Sequence, residues 1–153
     1  MKAGLVKNLF IKIIPVFITV ILLTASAPGP GPGAAGRTVW DRVYTDAQAS
    51  RGIQVFYDYC ALCHGVNMLG GQGSPALIGP EFRFLWSDKP VGALFEIMRA
   101  RMPPGQAGTL SDQEYADILA AILQGNGFPA GEDTELPPDS SLTSDIIITF
   151  DES

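Results

Sequence analysis

Cys60-Ala61-Leu62-Cys63-His64 gathers both cysteines and the single histidine of a 153-residue chain into five consecutive positions. Two thiols three residues apart on a helical turn can each add to one of the two vinyl groups of a haem, forming thioethers. The next side chain, His64, then falls under the iron and ligates it through its imidazole. Three other chemistries use the same residue types. A structural disulfide at this spacing leaves the adjacent histidine unexplained. A dithiol redox pair needs a βαβ setting, which the Gly/Pro-rich surroundings do not offer. A structural zinc site needs four ligands, and the chain has no further Cys or His to complete one. The stretch therefore predicts one covalently attached haem c, with its iron.

The motif sits at the end of a predicted helix. Thr45-Asp46-Ala47-Gln48 reads as a capping box opening it, and Ala49, Gly52, Ile53, Phe56 and Tyr57 recur along it at helical spacing. Glycine inside a helix costs about 1 kcal/mol relative to alanine, so Gly52 implies a packing reason: another helix passing close by. A second capping box, Ser111-x-x-Glu114, with Leu110 and Tyr115 as a hydrophobic staple, starts a later helix. Its stripe of Tyr115, Ile118, Leu119 and Ile122 should pack across the Gly52/Phe56 face as ordinary core, with Gly125 as the C-cap.

Upstream, Lys2, Lys7 and Lys12 precede or border Ile13 to Ala27, an uncharged apolar run. That is the layout of an export signal, residues 1–27, with cleavage candidates after Ala27 and after Ala35. Left uncleaved, the same segment would anchor the chain to a membrane. Residues 28–37 are a Pro/Gly-rich linker. Hydrophobic residues make up 46% and charged residues 17%, enough for a packed core. Net charge is −6; without the leader's three lysines, seven basic groups face sixteen acidic ones, a balance of −9. Such a domain is no nucleic-acid binder, which needs cations to replace the counterions around phosphate. Its acidity suits redox protein partners with a basic docking face, and equally a charge that serves solubility only.

From Thr38 to Gly131 the chain resembles the small mono-haem class I c-type cytochromes of bacterial periplasms. The resemblance rests on Cys60-x-x-Cys63-His64, on Pro75-Ala76-Leu77-x-Gly79-Pro80, on Met102-Pro103-Pro104, and on the Gly52/Phe56 helix paired with a last helix. It implies an all-α class I cytochrome c fold, three to four helices around one covalent haem. It also implies that the carbonyl of Pro75 meets the proximal histidine, although an ordinary loop proline is the plain alternative. Leu77, Phe84, Leu85 and Phe95 are expected to line the pocket. Trp86 is either a donor to a haem propionate or a core tryptophan.

With His64 as one axial ligand, the soft candidates for the other are Met68, Met98 and Met102. Met68 is too near His64 in the chain to reach the opposite haem face. Met98 lies in a Val91/Leu94/Phe95/Met98 stripe that reads as core. Met102 follows the helix end, before Pro103-Pro104, which should hold it in extended backbone; the family's distal methionine occupies such a loop. A His64/Met102 pair raises the potential and leaves no coordination position for a substrate. The expected role is thus periplasmic one-electron transfer, between a dehydrogenase or quinol-oxidising complex and an oxidase or other acceptor, with no small-molecule substrate. A haem subunit of a dehydrogenase complex is one alternative, and a haem-based sensor with a labile sixth ligand another. A peroxidase would lack a second histidine for acid–base work. Beyond the expected domain, residues 38–131, lies an acidic extension, residues 132–153. Its strand-like Asp145–Phe150 stretch should lie on its own domain.

Overall fold

The computed structural model describes residues 36–71 and 73–151; the leader and most of the linker lie outside the described residues. Five α-helices dominate: α1 (Asp46–Tyr59), the single turn α2 (Ala61–His64), α3 (Gly79–Trp86), α4 (Val91–Arg101) and α5 (Asp112–Gly125). Two short strands, β1 (Lys89–Pro90) and β2 (Ile147–Ile148), pair antiparallel with Lys89 opposite Ile148. The fold is all-α. No helix among the described residues is long and apolar enough to cross a membrane.

Helix α1 opens at Thr45, whose hydroxyl accepts the Gln48 N–H, but the capping box is only half formed. Gln48 is buried and turns away to residue 136, donating to the Leu136 carbonyl at 2.9 Å and accepting its N–H at 2.8 Å. A buried amide needs both ends satisfied, and a remote backbone satisfies them better than the helix's own first turn. On α5 the Ser111/Glu114 box is complete, and Leu110 and Tyr115 are both buried beside it. Gly125 is the last residue of α5 and not its cap: a Cβ there would come within 2.9 Å of Ile78. The left-handed backbone falls two residues later, at Gly127.

Helices α1 and α5 cross at Gly52. A Cβ at that position would lie 1.8 Å from the Asp117 carbonyl oxygen and 2.8 Å from the Ile118 nitrogen, so the backbones touch where the side chain is missing. Next to the crossing, the Arg51 guanidinium grips Asp117 with two hydrogen bonds of 2.9 and 3.0 Å and Glu135 with two of 3.1 and 2.7 Å. Asp117 is buried, and Gln113 donates to it as well. One arginine thereby joins α1, α5 and the C-terminal segment.

Residues 132–151 are an integral layer of the domain. Ile146 and Ile148 are fully buried, and Ile147 forms a further, parallel bridge with Thr38. The Trp40 indole N–H donates to the Thr149 carbonyl at 3.0 Å. Phe150 packs on Phe128 at 5.1 Å between ring centroids. The segment also reaches the start of α4: Val91 N–H donates to Ile146, and a Cβ on Gly92 would stand 2.4 Å from the Ser140 carbonyl oxygen.

Gly52→Ala is expected to cost more than about 3 kcal/mol in denaturant unfolding, because rigid backbone and no flexible side chain blocks the new methyl; a loss below about 1 kcal/mol would mean that the crossing can open cheaply. Glu135 is held below its ordinary value of 4.5, chiefly by its hydrogen bonds from Arg51. A carboxylate depressed in the folded state adds stability above its unfolded value and loses it as pH falls through the folded one. Unfolding free energy should therefore drop below about pH 4.5, and Glu135→Gln should remove part of that slope, about 0.5–1 kcal/mol for a pair this exposed.

Candidate functional site

Helix α1 ends at Tyr59, and the chain turns through Cys60 into the single turn that carries Cys63 and His64. Both cysteines are free thiols, which removes the disulfide reading. Burial pushes the Cys60 thiol up to about 11, with the neighbouring Cys63 adding to the shift. No group of three or more His, Cys, Asp and Glu residues among the described residues could hold a metal ion, so the zinc reading finds no ligand set either.

Cys60, Cys63 and His64 line one cleft together with Met102. Apart from the backbone, His64 and Tyr59, Trp86 and Tyr115, the lining is aliphatic side chains, sulfur and proline, with no Asp, Glu, Lys or Arg. Such a wall suits a large, flat, mostly apolar ring.

The orientation of His64 is set by the loop that follows it. Nδ1 lies 2.9 Å from the Pro75 carbonyl oxygen. A carbonyl can only accept, so Nδ1 carries a proton, and Nε2 is the nitrogen left to serve as a ligand. That is the arrangement an iron ligand requires. The loop is itself tied down: Gly70 N–H donates to the His64 carbonyl at 2.8 Å, and Leu77 N–H to the Met68 carbonyl at 2.8 Å. Asn126, just past α5, donates to the Leu77 carbonyl and accepts the Gly79 N–H, both at 3.0 Å. Sequence reading passed over Asn126; its place one residue beyond a predicted helix end was the only signal.

Met102 stands at the C-terminal boundary of α4, its backbone extended (φ −121°, ψ 144°) as a residue before proline should be. The chain then turns instead of continuing extended, with Gln106 N–H donating to the Pro103 carbonyl. The Tyr115 hydroxyl donates to the Met102 carbonyl at 2.7 Å and accepts the Gly108 N–H at 3.1 Å, pinning both ends of this loop. Met98 is buried on α4 and also lines the cleft. Met68 is buried outside it, its sulfur facing Gly125.

Of the expected lining, Leu77 and Trp86 face the cleft, whereas Phe84, Leu85 and Phe95 do not line it. Phe84 is 87% exposed on the outer face of α3, and Phe95 is buried edge-on against Tyr115. Tyr115, Ile118 and Ile122, expected as plain core, line the cleft as well as supporting α1. Helix α5 is buried continuously from Tyr115 to Leu123, so it serves two faces at once, which a single-stripe reading of the helix misses. Tyr115→Phe should cost about 1–2 kcal/mol in thermal or denaturant unfolding, since two polar backbone groups lose their partner.

Residues 47–120 match the family model described as cytochrome c oxidase, cbb3-type, subunit III. The match spans the haem-attachment turn, the cleft-forming helices and most of α5, and the donor set and apolar walls of the cleft fit the group that this family carries. Residues 47–120 are thus a c-type cytochrome domain, consistent with the small class I kind: an electron-transfer haem domain with covalently bound haem c.

Proposed function

We propose that this protein is a periplasmic one-electron carrier, with Cys60 and Cys63 attaching the haem and His64 and Met102 as its axial ligands. Electrons would pass from a dehydrogenase or quinol-oxidising complex to an oxidase or other acceptor. The observation that carries this reading is the Pro75 carbonyl on His64 Nδ1, which leaves Nε2 as the nitrogen available to a ligand in the cleft that Met102 also lines. When bound, the haem supplies a one-electron ferric/ferrous couple. The protein's part is to hold both axial side chains firmly. Pro75 orients His64, and Tyr115 and the following turn hold the Met102 backbone. With His64 and Met102 holding the iron, the Met102 thioether would favour the ferrous form and leave no place for an exogenous ligand.

The basic start and apolar run of residues 1–27 support export, or a membrane tether if uncleaved. The description of the matched family names an oxidase subunit, which supports an oxidase as acceptor and the reading of this chain as one component of a larger complex. A partner with a basic face would find its electrostatic complement on the acidic residues of 132–151.

Optical spectra of the haem-loaded protein test the ligand pair. The ferric form should show the weak sulfur-to-iron charge-transfer band, and the ferrous form should ignore carbon monoxide. Met102→Ala should abolish the band and admit carbon monoxide. A wild-type protein without the band that binds carbon monoxide readily would point to the sensor reading.

A further inference from the structure

The stretch from Gly65 to Ile78 joins α2 to α3 and delivers the Pro75 carbonyl to His64. Connecting segments are ordinarily more mobile than the elements they join, so a carbonyl carried by one needs an anchor to stay on a ring nitrogen. Among the described residues, the hydrogen bonds of this stretch run to His64, within the stretch itself, to α3 through Glu81, and to one residue beyond: Asn126. That residue, just past the end of α5, is the one hydrogen-bonded tie from this connection to a distant element.

Every polar group of the Asn126 side chain is committed. Oδ1 accepts the Gly79 N–H at 3.0 Å, and Nδ2 donates to the Leu77 carbonyl at 3.0 Å and to the Ile122 carbonyl at 2.9 Å. The first two bonds bracket Ile78 as a neighbouring strand would, and the third ties the amide to the last turn of α5. Ile78 itself lies directly on that turn: a Cβ on Gly125 would come within 2.9 Å of its Cγ2. Pro75 and Leu77 line the cleft, whereas Asn126 does not. Any effect of Asn126 on a group in the cleft therefore passes through the loop. At the other end of α5 the Tyr115 hydroxyl donates to the Met102 carbonyl. At about 1.5 Å per residue the two tethers stand about 16 Å apart along the helix, one beside each axial side chain.

We infer that Asn126 is a positioning residue for the proximal ligand: by bracketing Ile78 it holds the Pro75 carbonyl on His64 Nδ1, and so sets how strongly the imidazole donates to iron. A hydrogen-bond acceptor on the far ring nitrogen raises the basicity of a ligating histidine. Slackening that contact leaves a poorer donor, which favours ferrous over ferric iron. An aspartate cannot replace the amide, because it offers no donor to the Leu77 carbonyl. The inference rests on His64 as an iron ligand, which is part of the reading above, and does not depend on Met102.

Hydrogen exchange at His64 Nδ1–H, followed by NMR in the ferrous haem-loaded protein, reads the contact itself, and an equilibrium redox titration reads the donor strength. Gln48→Ala is the matched control, since Gln48 brackets Leu136 with the same pair of bonds and lies outside the cleft. Asn126→Ala should speed exchange at Nδ1 by more than about tenfold and move the ferric/ferrous equilibrium toward the ferrous form by about threefold. Gln48→Ala should move neither by more than about twofold at an equal loss of unfolding free energy. Asn126→Asp keeps an acceptor for Gly79 and loses the donor to Leu77, so it should also speed the exchange, and it carries the test if the alanine variant does not fold. Equal acceleration by Gln48→Ala would reduce Asn126 to a stability residue and overturn the inference. So would unchanged exchange in the Asn126 variants, or faster exchange in Asn126→Ala with the redox equilibrium unmoved. A wild-type spectrum without the sulfur band sinks the carrier reading alone; the exchange is then followed on the diamagnetic carbon monoxide adduct.

Discussion

Everything else in the domain is arranged around the contact between α1 and α5 at Gly52, where a Cβ would come within 1.8 Å of the Asp117 carbonyl. With α1 lying directly on α5, the Cys60–His64 turn at the end of α1 is brought over the same cleft that Tyr115, Ile118 and Ile122 line from α5. A wider crossing would separate the cysteines and histidine from the wall facing them. Arg51 reinforces the contact at its edge, and burying Asp117 there is tolerable because its oxygens are met by Arg51 and Gln113.

The residues after 131 add a second constraint. Their strand pairs with Lys89–Pro90 and bridges to Thr38, and their backbone crowds Gly92 at the start of α4. Helix α4 is therefore fixed at one end by the C-terminal segment and at the other by the Tyr115 hydroxyl on Met102. The segment is tied through backbone groups, buried isoleucines and the Glu135 carboxylate on Arg51.

How much of this could be read in advance differs from residue to residue. Cys60, Cys63 and His64 announce their chemistry because thioether formation and iron ligation demand that order and spacing. Gly52 could be read because glycine in a helix is costly without a reason, and the Ser111/Glu114 box because it is local. Gln48 looked like half of such a box but is satisfied by a backbone 88 residues away, which no local pattern contains. Phe84 and Phe95 looked like pocket lining because aromatic rings suit a haem; one is exposed and the other buried behind Tyr115. Asn126 gave almost no sign, since its value lies in reaching the loop after Pro75.

The sequence by itself determined the cofactor chemistry and the helical character, both of which are set by residue identity and by spacing within a few turns. Only the tertiary structure decided which nitrogen of His64 meets the Pro75 carbonyl, that Met98 reaches the cleft beside Met102, and how the residues after 131 pack on the starts of α1 and α4. Those outcomes depend on contacts between residues far apart in the chain. Their geometry is fixed by backbone packing at Gly52, Gly92 and Pro75, and not by any preference of the local sequence.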